Sequence, residues 1–267
     1  MNPLGRTAIV TGASSGIGAA TAVEIGRKGA NVALFARRED RLHDVATRVE
    51  IAGGRALFVP GDVSCGQDID ALVAATLERF GTIDVLINNA GYGLSLTVEE
   101  TSAEALRDIF AVNYFGAFDA TRAVLPHMRA AGAGHIAFVS SVVGKLAFPY
   151  HGAYASTKAA LISLAQALHD EVASENIRVS VVLPANTRTE FFAVQSRLSR
   201  HESGMIGFSQ SPERVARAIV RSIEKPTSEI NIVPPMRFAY AIDALFPALR
   251  GMAGRWFYRY RSPNEST

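Results

Sequence analysis

Cysteine is almost absent. Cys65 is the single one in 267 residues, so no disulfide can close within the chain and no thiolate-rich zinc site can form. Nothing in the fold therefore calls for an oxidising compartment. Long apolar runs are missing as well. The first residues, Met1-Asn2-Pro3-Leu4-Gly5-Arg6, lack the apolar core of a secretory signal. The stretch Phe238 to Leu249 is shorter than the roughly 18 residues a membrane span needs, and it contains Asp243 and Pro247. A cytoplasmic protein is the expectation. A surplus of one charge sign is also lacking, with 27 Lys and Arg against 25 Asp and Glu. That balance argues against nucleic acid as a partner, since its affinity comes from many phosphate contacts. From Arg237 onward there are five basic and two acidic residues, leaving 22 basic and 23 acidic before it. Any anionic partner of the surface is expected at the C-terminal end.

What is present describes an ordinary globular protein, with 48% hydrophobic and 19% charged residues. Short β-branched runs recur at Thr7 to Thr11, Asn31 to Ala36, Ala56 to Pro60, Val85 to Asn88, His135 to Ser140, Arg178 to Leu183 and Glu229 to Val233. Amphipathic stretches separate them, which is the rhythm of βαβ units around a parallel sheet. Gly29, Gly81, Gly132 and Asn176 each follow an amphipathic stretch and precede a strand, where a left-handed residue closes a helix. The fold class predicted is α/β, a Rossmann-type doubly wound, seven-stranded parallel sheet flanked by helices in one domain. Residues 1–235 form that unit and 236–267 a basic, aromatic C-terminal extension. The irregular stretch 186–211 suits a lid at the carboxyl edge of the sheet, where open α/β folds bind ligands.

After the first strand comes Thr11-Gly12-Ala13-Ser14-Ser15-Gly16-Ile17-Gly18, then a helical stretch from Ala19 to Lys28. Glycines at a strand-to-helix turn permit positive φ and close approach of a pyrophosphate, while the helix N-terminus supplies unpaired N–H donors. The spacing is GxxxGxG rather than GxGxxG. At the tip of the second strand a dinucleotide enzyme places an acid for a ribose hydroxyl or a cation for a 2′-phosphate. Here the tip reads Phe35-Ala36-Arg37-Arg38, and Glu39 and Asp40 already open the next helix. NADP(H) is the expected cofactor, unless Arg37 and Arg38 are only solvated surface charge. Gly12-Ala13-Ser14-Ser15-Gly16 also satisfies GxSxG, the nucleophile elbow of a hydrolase. Only eleven residues precede Gly12, leaving no room for an earlier oxyanion loop, so a Ser14 hydrolase is the lesser reading.

Tyr154-Ala155-Ser156-Thr157-Lys158 opens a long amphipathic stretch, so Tyr154 and Lys158 share a helical face. Bringing a phenol from about 10 to about 7 takes about 4 kcal/mol. One cation at about 4 Å supplies about that at an effective dielectric of about 20. Lys158, helped by a positively charged oxidised nicotinamide, is therefore expected to make Tyr154 a proton shuttle at neutral pH. Taken alone, such a pair is more often an exposed helical neighbour pair.

TGASSGIG at 11–18, Asn88-Asn89-Ala90-Gly91 after the fourth strand and YASTK at 154–158 together resemble the short-chain dehydrogenase/reductase family, over about residues 5–233. The resemblance implies that Gly12, Ser14, Ser15, Gly16, Ile17 and Gly18 hold the cofactor's phosphates. It implies that Asp62 and Val63 meet the adenine, and that Asn89 with Ala90 and Gly91 supports the adenosine side. Lys158 doubles as a ligand of the nicotinamide ribose. Ser141, thirteen residues before Tyr154, bonds the substrate oxygen in preference to the adjacent Ser140. Asn113 holds a water that links Lys158 to solvent. Without the family, Asn113 reads as a local hydrogen-bonding or kink position and Asp62 as the cap of the following helix. The family's Pro-Gly after the sixth strand is replaced by Pro184-Ala185-Asn186-Thr187-Arg188-Thr189. Pro184, Thr187 and Thr189 are expected at the nicotinamide end, with Ala185 and Thr187 as departures.

The activity implied is reversible hydride transfer between nicotinamide and a carbonyl or secondary alcohol, with Ser141, Tyr154, Lys158 and Asn113 as the catalytic set and no metal required. A nucleotide-sensing or scaffold protein that has lost activity is the alternative, against which the intact set speaks. Phe191, Phe192, Val194, Leu198, Met205, Ile206 and Phe208 in the lid suggest a lipophilic substrate, or packing on the protein itself. His151 is expected as an exposed loop residue rather than a lining of the substrate entrance. The tail, with Phe246, Pro247, Trp256, Phe257, Tyr258, Arg259, Tyr260 and Arg261, mixes aromatics and cations. Subunit packing or folding back is favoured there over contact with a membrane surface. The family forms dimers or tetramers through its middle helices, so a homodimer or homotetramer is expected.

Overall fold

The computed structural model describes residues 2–191 and 209–261, with only the backbone for 250, 253, 256, 257 and 259–261. The lid residues Phe192, Val194, Leu198, Met205, Ile206 and Phe208 lie outside the described residues, as do the side chains of Trp256, Phe257, Arg259, Tyr260 and Arg261.

Seven parallel strands form one sheet: β1 (Thr7–Thr11), β2 (Asn31–Ala36), β3 (Arg55–Pro60), β4 (Val85–Asn88), β5 (Gly134–Val139), β6 (Ile177–Leu183) and β7 (Glu229–Asn231). Their order is β3-β2-β1-β4-β5-β6-β7. The order reverses between β1 and β4, which opens a crevice at their carboxyl ends. The central strands β1, β2, β4 and β5 read as mostly apolar runs because both faces are covered, while the edge strands β3 and β7 are only partly buried. In β1 and β2, Val10, Val32 and Leu34 face one helical layer, while Ile9, Ala33 and Phe35 face the other. The first layer is α1 (Gly16–Gly26), α2 (Glu39–Ile51) and α7 (Pro212–Glu224), which contribute Ile25, Val49 and Ile219. The second is α3 (Gly66–Phe80), α5 (Gly116–Ala131) and α6 (Gly152–Glu171), which contribute Leu72, Val124 and Leu161. A shorter helix, α4 (Ala103–Phe110), runs through a π turn (Ala111–Phe115) into α5.

All four expected helix closures adopt positive φ: Gly29 at 72°, Gly81 at 77°, Gly132 at 66° and Asn176 at 53°. Of the four, only Asn176 carries a side chain, and its Nδ2 donates to the Gly132 carbonyl (3.1 Å), tying two of these corners together. Asp62 does not cap α3. That position belongs to Cys65, while the Asp62 carboxylate accepts from the Ser64 backbone N–H and hydroxyl.

Beyond β7 the chain continues as α8 (Met236–Leu245) and α9 (Pro247–Arg261). Part of this tail folds back. Met236 and Tyr240 pack against a cluster that contains Tyr154, and Tyr258 stacks on Tyr150 with centroids 5.5 Å apart. Among the described residues no helix is long and apolar enough to cross a membrane.

The edge between β1, β4 and β5 depends on one buried carboxylate. Asp84 accepts from the Thr7 N–H (2.9 Å) and the Arg6 guanidinium (2.8 Å). Its backbone meanwhile pairs with Thr7 on one side and His135 on the other. Asp84→Ala leaves those donors short of an acceptor and is expected to lower unfolding free energy by about 2 kcal/mol or more. A urea midpoint equal to that of the parent chain would refute this.

Candidate active site

The crevice at the reversal point is a cleft of about 480 Å³. Its floor is the turn from β1 into α1, where Gly12 (φ 64°) and Gly16 (φ 56°) take backbone conformations that side chains disfavour. A Cβ on Gly12 would stand 2.7 Å from Ala90 Cα, and one on Gly18 2.3 Å from the Gly12 carbonyl oxygen. The closeness has a cause. Asn89 Nδ2 donates to the carbonyls of Thr11 (3.0 Å) and Gly12 (3.2 Å), and Thr11 Oγ1 accepts from the backbone N–H of Asn89 and Ala90. The turn after β4 is thus clamped onto the glycine loop. Asn88, which the sequence reading passed over, anchors the same turn from behind by donating to Thr121 Oγ1 on α5 (2.9 Å).

The first turn of α1 presents N–H donors without a side-chain cap. A carboxylate already sits there. Glu190 bonds the Ser15 side chain and takes a 2.9 Å hydrogen bond from Arg38, whose guanidinium also donates to Ser14 Oγ (3.2 Å). The bond from Arg38 is the main reason its carboxyl lies below the usual carboxylate range. A group that holds one anion at a helix N-terminus fits a phosphate. Ser14 Oγ accepts from an arginine rather than a histidine, which gives no support to a Ser14 nucleophile. Arg37 stands 3.7 Å from Asp62. Burial alone would raise the Asp62 carboxyl, but hydrogen bonds from Ser64 and the Arg37 charge bring it below its ordinary value. Both cations at the β2 tip therefore face a carboxylate, and one of these, Glu190, comes from 152 residues away.

At the other end, Tyr154 and Lys158 lie one turn apart on α6, both buried. Ser141 opens a short 3₁₀ turn, accepts from the Val143 N–H and hydrogen-bonds the Tyr154 side chain. Ser140 is committed elsewhere, its hydroxyl donating to the Lys158 carbonyl (2.8 Å). Lys158 Nζ donates to the Val139 carbonyl (2.9 Å) and lies 5.8 Å from the Tyr154 ring centre. The protein's own groups, taken by themselves, act in the opposite direction on the phenol. Burial raises the Tyr154 hydroxyl well above its ordinary value, with the Ser141 bond opposing it, and burial pushes the Lys158 ammonium down to about 8. Desolvation is the leading influence on each group and favours the neutral form of both.

Asn113 sits in the π turn between α4 and α5, fully buried. Its Oδ1 accepts from the Tyr92 N–H, and its Nδ2 donates to the Tyr92 carbonyl and to Thr157 Oγ1. Thr157, a residue the motif reading left unassigned, in turn donates to the Tyr154 carbonyl. A Cβ on Gly91 would stand 2.9 Å from Asn113 Oδ1 and 3.4 Å from Lys158 Nζ, so the two side chains back the same wall.

The expectation of an exposed His151 is wrong. It is buried, lines the cleft, and has Nδ1 3.1 Å from the Pro149 carbonyl, because the preceding Tyr150 turns inward at φ 68°. Phe191 places its ring 5.5 Å from that of Tyr154. Thr189 lies against Gly16, and Thr187 pairs with Gln210 in a parallel bridge that brings the chain back to the cleft edge. Pro184, Thr187 and Thr189 line the cleft together with Gly12, Ser14, Ser15, Gly16, Ile17, Arg37, Arg38, Asp62, Val63, Asn89, Ala90, Gly91, Ser141, Tyr154 and Lys158. Gly18 and Asn113 stand behind its wall.

Residues 6–198 match the family described as short chain dehydrogenase. The chain is 33% identical over 228 residues to the ketoacyl reductase HetN of Nostoc sp., covering 85% of this chain and 78% of that protein. It is 34% identical over 252 residues to the 11-beta-hydroxysteroid dehydrogenase-like 2 protein of Arabidopsis thaliana, covering 93% and 80%. The crystal structure of a short chain dehydrogenase/reductase from Burkholderia phymatum in complex with NAD superposes with a TM-score of 0.84 at 27% identity, covering 94% of this chain and 96% of that one.

A buried ammonium at about 8 means that the unfolded chain holds this proton up to about 10.5 while the folded chain releases it earlier. The folded state therefore carries the full penalty below about 8, and stability rises with pH between these values. Lys158→Met is expected to raise unfolding free energy at pH 7 by about 1 to 3 kcal/mol, the gain fading towards pH 10. Chemical denaturation across pH checks it; a Met variant less stable at pH 7, or a difference independent of pH, would contradict the assignment.

Proposed function

The chain belongs to the short-chain dehydrogenase/reductase family, and from that premise we propose that it is an NADP(H)-dependent oxidoreductase interconverting a carbonyl and a secondary alcohol on a lipophilic substrate. The observation that carries the reading is the convergence of Ser141, Tyr154 and Lys158 on one wall of the cleft whose floor is the glycine loop. Residues 1–235 are the catalytic unit.

In this reading the glycine loop with Ser14, Ser15 and Ile17 holds the pyrophosphate at the α1 N-terminus. Arg38 and Arg37 take the 2′-phosphate, with Arg38 exchanging the Glu190 carboxylate for it. Asp62 and Val63 border the adenine, and Asn89, Ala90 and Gly91 keep the adenosine side in register. Pro184, Thr187 and Thr189 border the nicotinamide, and Lys158 bonds its ribose. The bound cofactor supplies or accepts the hydride. Ser141 donates to the carbonyl oxygen and polarises it. Tyr154 gives its proton to that oxygen as charge develops, so the phenol that burial keeps protonated is in the form reduction requires. Lys158 and Asn113, backing Gly91 together, are placed to return a proton by way of water. Tyr92, Val143 and Phe191 make the substrate side apolar, which supports a lipophilic carbonyl compound. Phe115 and Phe118, exposed where α5 begins, support a homodimer or homotetramer through the middle helices. The cytoplasm is the proposed compartment.

Tyr154→Phe is expected to cut turnover by about 10² to 10⁴ while leaving NADPH binding, read by fluorescence, near that of the parent. Near-normal turnover would defeat the assignment. The informative assay is NADPH consumption against ketosteroids, retinoids, acyl ketones, sugars and quinones, with NADH in parallel. A clear NADH preference would overturn the role given to Arg37 and Arg38. The rate of reduction is expected to fall as pH rises past about 8, where Lys158 loses its proton; a rate that still climbs at pH 9 would contradict it.

A further inference from the structure

A surface helix packs one stripe inward and shows water a polar face. Helix α8 departs from that rule. Met236, Ala239, Tyr240 and Asp243 form its less exposed side, at the spacing of one helical face, and Met236 and Tyr240 meet the body of the protein. The opposite stripe is Phe238, Ile242 and Leu245, at 74%, 51% and 73% exposure. Phe246, Leu249 and Met252 continue the exposed apolar surface into α9. Seven of the thirteen exposed large apolar side chains among the described residues fall between Phe238 and Tyr258. The segment is also where the chain's positive surplus lies, five basic against two acidic residues from Arg237 onward, with Arg237 and Arg255 exposed.

We infer that α8 and the start of α9 form a docking face for an anionic bilayer surface, lying in its plane with Phe238, Ile242 and Leu245 inserted. The charge selects this occupant. Two copies meeting on the same face would set cation against cation, and the rest of the chain, 22 basic and 23 acidic residues, is nearly neutral, one acid in excess, as a counter-surface. Anionic headgroups complement both the exposed apolar stripe and the cations flanking it. Two helices of ten and fifteen residues lie on a membrane rather than span it. The buried side of α8 meets the cluster around Tyr154 and Phe191, so docking brings the substrate end of the cleft to the bilayer. This suits the lipophilic substrate proposed above, but the docking does not depend on that proposal.

The test is flotation of the full chain with vesicles of phosphatidylcholine alone or with phosphatidylserine added, at low and high salt. Binding to the phosphatidylserine vesicles is expected, weakened by salt and by removing the anionic lipid. Combined Phe238→Ser, Ile242→Ser and Leu245→Ser should cut the bound fraction at least tenfold, with melting temperature kept or raised as evidence of folding. Arg237→Glu, at an exposed position, should cut it about fivefold or more and serves if the triple variant does not fold. Absence of binding by the parent chain, or binding unchanged in these variants, would overturn the inference. So would a change in assembly mass by light scattering in the triple variant without vesicle binding by the parent, which would make the face a contact between copies.

Discussion

Lys158 is the constraint around which the site is organised. An ammonium taken out of water must find acceptors or lose its proton, and here it is held by the Val139 carbonyl at the end of β5. That bond fixes the inner end of α6 against the sheet. The Ser140 hydroxyl, bonded to the Lys158 carbonyl, fixes the same turn from the other side. With α6 held this way, Tyr154 is set into the cleft and Ser141 within reach of its hydroxyl. Asn113 and Thr157 complete the support by joining the turn after β4 to the first turns of α6. The arrangement costs stability locally, since burial disfavours the charged Lys158, and it keeps both Tyr154 and Lys158 out of bulk water.

The alternation of strands and helices was legible because most strands are apolar runs and four crossovers close on Gly29, Gly81, Gly132 or Asn176, residues suited to positive φ. Every strand was located, with starts and ends within one residue except at β7. That edge strand stops at Asn231 rather than Val233, since β6 is its sole partner and gives it nothing to pair with further on. The glycine loop and the Tyr154 and Lys158 pair were legible because their spacing is local. Relations across sequence distance were not. The bond between Arg38 and Glu190, the clamp of Asn89 on Gly12 and the inward turn at Tyr150 that buries His151 depend on which strands neighbour each other. The burial of Tyr154 and Lys158 was not legible for a related reason: separation along a helix says nothing about how much water the fold removes from either group.

The cofactor end shows how one contact can have two uses. Glu190 bonds the Ser15 side chain at the α1 N-terminus and pairs with Arg38 at the rim, where both side chains remain partly exposed. Any anion that takes its place inherits a preformed partner. The Arg38–Glu190 pair links the rim of β2 to the chain leading away from β6, and Thr189 beside it lies against Gly16 of the glycine loop.

The π turn at Ala111–Phe115 bears on how this chain tolerates change in length. Such a turn accommodates one more residue than a regular α turn. Deleting a single residue anywhere between Phe110 and Gly116 would let α4 and α5 merge into one regular helix. The extra residue is absorbed within that one turn, so α4 and α5 would keep their register, and what would be lost is the local widening that sets Asn113 on the Tyr92 backbone. A one-residue deletion at this corner would thus spare the packing of α4 and α5 and fall on the wall behind Gly91 alone.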